Sequence, residues 1–221
     1  MKLIVISAAE QTEKEHELIN TLFEQGLKSF HLRKSGYTME QMQDFLKGIQ
    51  PKFLRRIIVH SHYELIGKYN LAGIHLNNEA LRSIPEIDLK DLYKTAKKKN
   101  LSVSGSIHSL AELSVLPFQY DYVLLSPVFD SISKAGYKSK LSHSEITEAL
   151  ENFKKSNNKT QIVALGGIEA DKIEQVIRMN FDGIALLGII WSSFMKSGNI
   201  LDAAEIFKTI KEKCQTADHT L

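Results

Sequence analysis

The chain has 221 residues, of which 28 are Lys or Arg and 26 are Asp or Glu, so its formal charge is only +2. This balance argues against nucleic-acid binding, which usually goes with a strong excess of basic residues. The single cysteine, Cys214, cannot form a disulfide within the chain, which favours a reducing compartment such as the cytoplasm. The first apolar run ends at Ser7, and no later one reaches the roughly 18 residues of a membrane span, so we expect neither a signal peptide nor a membrane partner.

Short runs of β-branched and aliphatic residues recur at a spacing of roughly 26 residues, which suits one strand, one helix and two loops. They are LIVIS from Leu3, SFHLR from Ser29, RIIVH from Arg56, AGIHL from Ala72, LSVSGS from Leu101, DYVLLS from Asp121, QIVALGG from Gln161 and DGIALLG from Asp182. Eight such units predict a single (β/α)₈ TIM barrel over residues 1–221, with an open, doubly wound sheet as the alternative. Residues 214–221 are expected to form a frayed tail.

Amphipathic helices are predicted between these strands. Apolar residues at helical spacing mark four of them, residues 13–25, 39–48, 89–99 and 170–179. The polar stretch 154–159 is interpreted as an exposed loop before the seventh strand. Trp191 and Phe194 are expected to be exposed and available for a subunit contact, so a homodimer is considered.

Polar residues accumulate at the predicted carboxyl ends of the strands, where barrels of this kind place their sites. His31 and Arg33 share one face of the second strand because successive strand residues alternate. Three serines of the fifth strand also share a face, which indicates a wet or liganded surface: Ser102, Ser104 and Ser106. Polar residues also follow other strands: His60, His62, His75, Asn77, His108 and Ser126.

Five of the eight histidines lie at or just beyond strand ends. One interpretation is a set of core histidines hydrogen-bonded to the backbone, and the other is a metal site, since imidazole binds Zn²⁺ and similar ions. The first is favoured, because no HxxxH pair lies on a predicted helix and no carboxylate stands beside these residues.

Glycines end the last two strands. Gly166 and Gly167 precede a helix expected to start near Glu169, whose unpaired N–H groups would attract an anion, and Gly188 ends the eighth run in the same way. Because the loops after strands seven and eight of barrels often hold a phosphate, we predict a phosphate site here. The alternative is that these glycines only form tight turns.

A second anion site is predicted around the loop SPVFDSISKAGYKSK, which follows the sixth strand. Its hydroxyls and cations are typical of a lid that closes on phosphate, although surface lysines are often merely solvated. Two anion sites at one mouth suggest two phosphorylated molecules or one long one. The residues concerned are Ser131, Ser133, Lys134 and Lys138, together with Arg33 and Lys34 near the second strand.

Six stretches spread over nearly the whole chain read HLRKSG, AGIHLNNEAL, VSGSIHSLAEL, DYVLLSPVFDSISKAGY, IVALGGI and DGIALLGII. In order and spacing they resemble the thiamin phosphate synthase family, including its TenI-like thiazole tautomerase branch. The resemblance implies a transferase of thiamin biosynthesis, in which the nitrogen of a thiazole phosphate displaces diphosphate from a hydroxymethylpyrimidine diphosphate held by Mg²⁺. It implies site residues at Arg33, Ser106, Ser131, Ser133, Lys134, Gly166 and Gly167.

The chain departs from the family's motif at the second strand. That motif opens with Gln and has a Lys two residues after the Arg, whereas this sequence has His31 and Ser35 at these positions. The nearby cation is instead Lys34, which strand alternation places on the face opposite to that of Arg33.

The expected Mg²⁺ carboxylates are also replaced. His60 and Ser61 stand where the family has an Asn-Asp pair, and Ala80 stands where it has a metal-binding Asp. The metal ligands are therefore left open, with Glu64 and Glu79 as the candidate substitutes, because Mg²⁺ prefers oxygen ligands.

Synthase activity is the preferred hypothesis, because SPVFDSISK retains the pattern that binds diphosphate. The expected catalytic residues are Arg33, Lys134, His31 and His108. The expected phosphate-binding residues are Lys34, Ser106, Ser131, Ser133, Gly166, Gly167 and Gly188.

Two alternatives remain open. One is a tautomerase that needs no metal or other cofactor; its family's acid/base His falls on Pro127 here, so the proton would have to move through His31, His60, His75 or His108. The other is a protein that binds thiamin precursors without turnover. All three hypotheses share phosphorylated thiazole or pyrimidine ligands.

Overall fold

A computed structural model of the chain describes residues 1–130 and 142–217. Its strands are β1 (Lys2–Ile6), β2 (Ser29–Leu32), β3 (Ile57–Val59), β4 (Gly73–Leu76), β5 (Ser102–Ile107), β6 (Tyr122–Leu125), β7 (Gln161–Leu165) and β8 (Gly183–Leu186). All are parallel, each pairs with the next, and β8 pairs with β1 to close the barrel. The predicted (β/α)₈ barrel is thus confirmed, and the open sheet is wrong because β1 and β8 are not free edges.

The helices surround this barrel. They are α1 (Glu15–Glu24), α2 (Met39–Lys47), α3 (Asn78–Ser83), α4 (Glu86–Lys98), α5 (His143–Lys155), α6 (Ile173–Arg178), α7 (Gly188–Ser197) and α8 (Ile200–Ala217). After β3 and β5 the chain forms only the short 3₁₀ helices Tyr63–Gly67 and Leu110–Val115. No helix of the described residues combines the length and apolarity needed to cross a membrane.

Strand alternation divides the apolar residues between two layers. Residues such as Phe30 and Leu32 of β2 belong to the large core between the barrel and its helices. Ile4, Ile58 and Val163 instead form a smaller cluster inside the barrel. His31 lies between Phe30 and Leu32 in sequence and is therefore on the opposite face of its strand, toward the barrel interior, as the alternation predicts.

Three local predictions need correction. The helix after Gly166–Gly167 begins at Ile173 rather than near Glu169. The first two residues of the predicted loop 154–159 still belong to α5, which ends at Lys155. Residues 214–217 continue α8 and are not a frayed tail, because Cys214 packs into the core; residues 218–221 lie outside the described part.

The prediction that Trp191 and Phe194 are exposed is wrong. Their side chains are only 2 % and 3 % exposed, and the Trp191 indole donates a hydrogen bond to the carbonyl oxygen of Ile6 at 2.6 Å. Trp191 thus anchors α7 to β1, and since both side chains are buried they do not support a subunit contact.

A buried ion pair joins the first two βα loops. The ammonium of Lys34 lies 2.7 Å from a carboxylate oxygen of Glu15, both side chains are inaccessible to solvent, and the same ammonium donates to the carbonyl oxygen of Glu10. Burial raises the pKa of Glu15 and lowers the pKa of Lys34, even though their mutual attraction acts in the opposite direction. Such a pair adds little net stability, but it is costly to break.

Glu15→Gln is therefore expected to lower the free energy of unfolding by about 3–5 kcal/mol, because it leaves the Lys34 ammonium buried without a counter-charge. Urea denaturation measures the loss. Glu17→Gln, a matched change at an exposed position of the same helix, should stay within about 0.5 kcal/mol of the parent. Equal effects of the two substitutions would contradict the assignment.

Candidate active site at the barrel mouth

A cleft of about 410 Å³ opens at the carboxyl ends of β2, β3 and β4. The polar residues that follow these strands converge at this end of the barrel. Barrels of this architecture carry their active sites at the same end. The predicted residues among those lining the cleft are Arg33, Lys34, His60, Ser61, His62, Glu64, Asn77, Glu79 and Ala80.

Arg33 is held at this mouth by its backbone. Its N–H donates to the Ser7 hydroxyl oxygen at 2.8 Å, and that hydroxyl lies 2.9 Å from the Arg33 carbonyl oxygen. Ser7 follows β1 and is buried, so it fixes the end of β2 against the end of β1. The Arg33 side chain is exposed and lines the cleft, where its charge is available to an anion.

Lys34 lines the same cleft, but its ammonium already contacts Glu15 and the carbonyl oxygen of Glu10. A cation that is neutralised and enclosed in this way offers little to a phosphate, so we do not include Lys34 in the proposed anion site. Lys34 follows the end of β2, so the alternation of strand residues no longer determines the direction of its side chain.

Three histidines meet inside the barrel directly beneath the cleft. The Nδ1 atom of His31 lies 2.9 Å from the Nε2 atom of His60, and the rings of His60 and His75 stack at 4.1 Å between centroids. His31 and His75 are almost inaccessible, whereas His60 is 7 % exposed and lines the cleft. The residues come from or directly follow β2, β3 and β4, so barrel closure brings them together.

The surroundings of the trio are hydroxyl groups. The Tyr122 hydroxyl lies 2.5 Å from the Nε2 atom of His31. The hydroxyl oxygens of Ser104 and Ser106 lie 2.9 and 2.8 Å from Nδ1 and Nε2 of His75. These contacts explain two of the three alternating serines of β5, Ser104 and Ser106, which face imidazole nitrogens.

All three imidazoles are held neutral. Burial lowers the pKa of His75 to about 3, with the charge of Arg33 as a further cause. Burial also lowers the pKa values of His31 and His60 well below the usual range, and neighbouring positive charge adds to the effect. A protonated imidazole would be desolvated here without a carboxylate partner, which is why the neutral form is favoured.

Two tyrosines of this region were not identified from the sequence. Tyr122 resembles an apolar strand residue in DYVLLS, and only its inward position at the start of β6 reveals the hydroxyl contact to His31. The Tyr63 hydroxyl lies 3.0 Å from the carbonyl oxygens of both His60 and His75, so it ties the ends of β3 and β4 together. No local pattern distinguishes either residue from a core tyrosine.

His108 is not part of the buried trio. It is exposed just after β5, and its Nδ1 atom lies 2.9 Å from the carbonyl oxygen of Ser126 at the end of β6. Because a carbonyl only accepts, Nδ1 carries the proton and Nε2 is the basic nitrogen.

The predicted phosphate glycines lie after β7 and β8, across the barrel from β3 and β4. Gly166 and Gly167 have φ angles of +98° and +64°, and a Cβ atom at Gly167 would stand 2.3 Å from the carbonyl oxygen of Asp130. These glycines are thus required for the turn itself. Gly188 begins α7, whose first N–H groups have no side-chain cap.

The predicted loop residues Ser131, Ser133, Lys134 and Lys138 lie outside the described residues. Their predicted roles stay predictions. The described chain before them ends at Asp130, beside the Gly167 turn.

Two groups of side chains at this mouth have donor atoms that could bind a metal ion. Glu64, on the 3₁₀ helix after β3, and Glu79, on α3, both line the cleft, with Ser61 and Ala80 at the positions expected to be Asp. Below them, the ligand nitrogens of the histidine trio all lie within 4.8 Å of one another. The oxygen donors suit Mg²⁺, which is usually bound by one or two carboxylates together with substrate phosphates.

Comparison with known proteins gives one consistent result. A family model described as thiamine monophosphate synthase matches residues 2–190. Thiamine-phosphate synthase 1 of Streptococcus pneumoniae is 25% identical over 209 residues, covering 91% of this chain and 90% of that protein. Thiamine-phosphate synthase of Proteus mirabilis is 25% identical over 181 residues, covering 79% and 78%.

Solved structures agree with this result. The crystal structure of thiamine phosphate pyrophosphorylase from Bacteroides thetaiotaomicron has a TM-score of 0.76 and 30% identity, covering 97% of this chain and 98% of its own. The thiamine phosphate pyrophosphorylase of Pyrococcus furiosus has a TM-score of 0.73 at 18% identity, covering 98% and 96%, and this likeness concerns the fold.

The neutral trio predicts that stability falls in mild acid. Between pH 7 and pH 5 the unfolded chain protonates imidazoles of ordinary pKa, whereas the folded chain does not. The free energy of unfolding should therefore decrease by about 2 kcal/mol for each ring that stays neutral. The stabilisation is complete above about pH 6.5 and is lost as the pH falls.

Urea denaturation at a series of pH values, in buffer with a chelator, measures this dependence. His75→Asn should reduce the slope by the contribution of one ring. His143→Gln, which removes an exposed imidazole, should leave the slope unchanged. A free energy of unfolding that is the same at pH 7 and pH 5 would show that these rings are not held neutral.

Proposed function

This chain belongs to the thiamine monophosphate synthase family, and from that premise we propose that it joins a hydroxymethylpyrimidine diphosphate to a thiazole phosphate. The thiazole nitrogen attacks the methylene carbon of the pyrimidine, and the bond from that carbon to the diphosphate oxygen breaks. Diphosphate leaves with the electron pair. An aromatic nitrogen is already a nucleophile, so the reaction needs no general base.

One arrangement carries this proposal: two anion-binding features face the same barrel mouth from opposite sides. Arg33 lies in the cleft at the β2–β4 side. The uncapped start of α7 at Gly188 lies at the β7–β8 side, next to the turn formed by Gly166 and Gly167. Two phosphorylated substrates that react with each other need two such features at one mouth.

Arg33 is the described residue that we assign to the leaving diphosphate. A fixed guanidinium stabilises the negative charge that develops on the leaving group, and in a dry site this effect amounts to several kcal/mol. Ser7 holds the Arg33 backbone at both its N–H and its carbonyl, so the side chain extends into the cleft from a fixed backbone position. Lys134, Ser131 and Ser133 are proposed to add contacts to the same diphosphate.

The phosphate of the thiazole is assigned to the β7–β8 side. Backbone N–H groups at the start of α7 and the positive end of its dipole favour an anion there. Gly188 is the first residue of that helix, and its lack of a side chain allows a close approach. Ser106, which accompanies His75 below the mouth, is proposed to contact the bound substrates from β5.

Glu64 and Glu79 are proposed to hold Mg²⁺ in the cleft, in place of the two Asp residues that Ser61 and Ala80 replace. Mg²⁺, when bound, neutralises charge on the diphosphate oxygens. Both glutamates are exposed and line the same cleft as Arg33, so a diphosphate bound there would be near both the carboxylates and the guanidinium.

A tautomerase is the second candidate, and the position of His108 favours it. The family's acid/base His falls on Pro127 here, and the His108 ring contacts the preceding residue, Ser126. Its Nε2 atom is the basic nitrogen, so this side chain can move a proton at the mouth. For either reaction, a cytoplasmic location and a homodimer stay predictions.

An end-point assay with hydroxymethylpyrimidine diphosphate and thiazole phosphate tests the proposal by detecting thiamin phosphate. Arg33→Ala should lower kcat/KM by about 100-fold, and Lys134→Ala should strongly impair diphosphate release. Arg55→Ala, which removes an exposed arginine before β3, is the matched control and should keep full activity.

Absence of thiamin phosphate above background would overturn the synthase proposal. Isomerisation of a thiazole carboxylate phosphate, lost in His108→Gln, would then support the tautomerase. Binding of both precursors without turnover of either would identify a non-catalytic binding protein.

The metal assignment predicts that chelation abolishes product formation and that Mg²⁺ restores it. Glu64→Gln and Glu79→Gln should each raise the Mg²⁺ concentration for half-maximal activity by about 10-fold. Glu151→Gln, at an exposed position of α5, should leave it unchanged. Full turnover in the presence of a chelator would exclude the proposed role of both glutamates.

A further inference from the structure

We propose that His31, His60 and His75 form a binding site for a divalent transition-metal ion of the Zn²⁺ class inside the barrel. The site is separate from the Mg²⁺ ligands proposed in the cleft above it and does not depend on the proposed reaction. It uses imidazole nitrogens alone and has its fourth coordination position toward the cleft.

The ligand atoms already stand close to the required separation. One nitrogen from each ring lies within 4.8 Å of the other two, and His31 Nδ1 is 2.9 Å from His60 Nε2. Tetrahedral Zn–N bonds of about 2.0–2.1 Å place ligand nitrogens about 3.3 Å apart. Because the rings of His60 and His75 are stacked, an ion at this site requires these side chains to turn until the lone pairs of their nitrogens converge on it.

Hydrogen bonds outside the trio orient two of the rings. The Ser104 hydroxyl lies 3.3 Å from the carbonyl oxygen of Ile74 and 2.9 Å from Nδ1 of His75, so when it donates to the carbonyl it accepts from Nδ1. The basic nitrogen of His75 is then Nε2, which faces the Ser106 hydroxyl. Metal-binding histidines usually have such an outer partner, because it fixes the tautomer and the ring orientation.

Tyr122 has the same function for His31. With the proton of His31 on Nε2 toward the Tyr122 oxygen, Nδ1 presents its lone pair to His60. A metal ion takes the place of the hydrogen bond between these two rings, and His60 moves its own proton to Nδ1. All three ligands stay neutral imidazoles, and no proton has to leave the site.

The chemistry of the donors selects the ion. Imidazole suits Zn²⁺, Co²⁺, Ni²⁺ and Cu²⁺, whereas Mg²⁺ requires oxygen ligands. Three protein nitrogens with one open position is the ligand count of a catalytic rather than a structural zinc site.

The ion has a path to this site. His60 lines the cleft, whereas His31 and His75 lie below it, so the trio is reached from the mouth through His60. Ser106, which is partly exposed, stands beside the basic nitrogen of His75 on the same strand as Ser104. A water molecule or a substrate oxygen arriving from the cleft would complete the coordination.

Titration of the chelator-treated full-length chain with Co²⁺ and Zn²⁺ tests the proposal. We expect one ion per chain, the intense visible absorption of four-coordinate Co²⁺, and its loss when Zn²⁺ is added. Millimolar Mg²⁺ should not displace the bound ion. Zn²⁺ should also raise the unfolding temperature in a concentration-dependent manner, because it binds only the folded chain.

Two variants connect the signal to the trio. His75→Asn removes a ligand and should weaken Zn²⁺ binding by more than about 100-fold, while Tyr122→Phe removes only the outer partner of His31 and should weaken it by about 10- to 100-fold. His143→Gln, which removes an exposed imidazole, should bind as the parent does. Tyr122→Phe keeps the shape of the core, so it stays informative even if His75→Asn does not fold.

Octahedral Co²⁺ spectra, a stoichiometry below one, or equal affinities in the parent and Tyr122→Phe would overturn the metal site. In that case the trio is a closed hydrogen-bonded network that only supports the mouth. These readouts are independent of thiamin phosphate formation, so failure of the synthase assay would leave this inference intact.

Discussion

Burial of polar side chains inside a closed barrel is the constraint on which the rest of this structure depends. The interior holds both an apolar cluster around Ile4 and Val163 and a polar group built on His31. Little solvent reaches these inner nitrogens, so their hydrogen-bond partners come mainly from the protein and their charged forms are disfavoured. Both outcomes are seen: the imidazoles bond to each other and to hydroxyls, and the pKa of His75 falls to about 3.

The same constraint separates the two cations that follow β2. Lys34 is enclosed and requires the Glu15 carboxylate, so its charge is used within the fold. Arg33, the preceding residue, is exposed and its charge reaches the cleft. Adjacent residues thus have opposite roles because one side chain points into a closed space and the other toward the mouth.

Much of this arrangement follows from sequence periodicity. The even spacing of apolar runs predicts the barrel, and strand alternation places His31 on the inward face with the serines of β5. Prediction from the sequence fails where contacts between distant elements determine the burial or the role of a side chain. Trp191 lies on a helix whose apolar residues continue around its surface, so its burial depends on β1, and the role of Tyr122 depends on a hydroxyl contact across 91 positions. The role of Glu15 likewise depends on its ion pair with Lys34, a contact that the sequence does not reveal.

Charge links the two proposed metal sites. Three neutral imidazoles leave a bound divalent ion with its full positive charge, and the charged residues that lower the pKa values of the trio, Arg33 and Lys2, are also positive. An ion in the barrel therefore favours an anionic fourth ligand, such as hydroxide or a phosphate oxygen. Glu64 and Glu79 supply negative charge only in the cleft above. With His60 and Ser61 in place of an Asn-Asp pair, the end of β3 offers an imidazole and a hydroxyl, and the carboxylates of the cleft are those of Glu64 and Glu79. The two proposed sites therefore differ in donor type, nitrogen inside the barrel and oxygen in the cleft, and so in the ions that they would select.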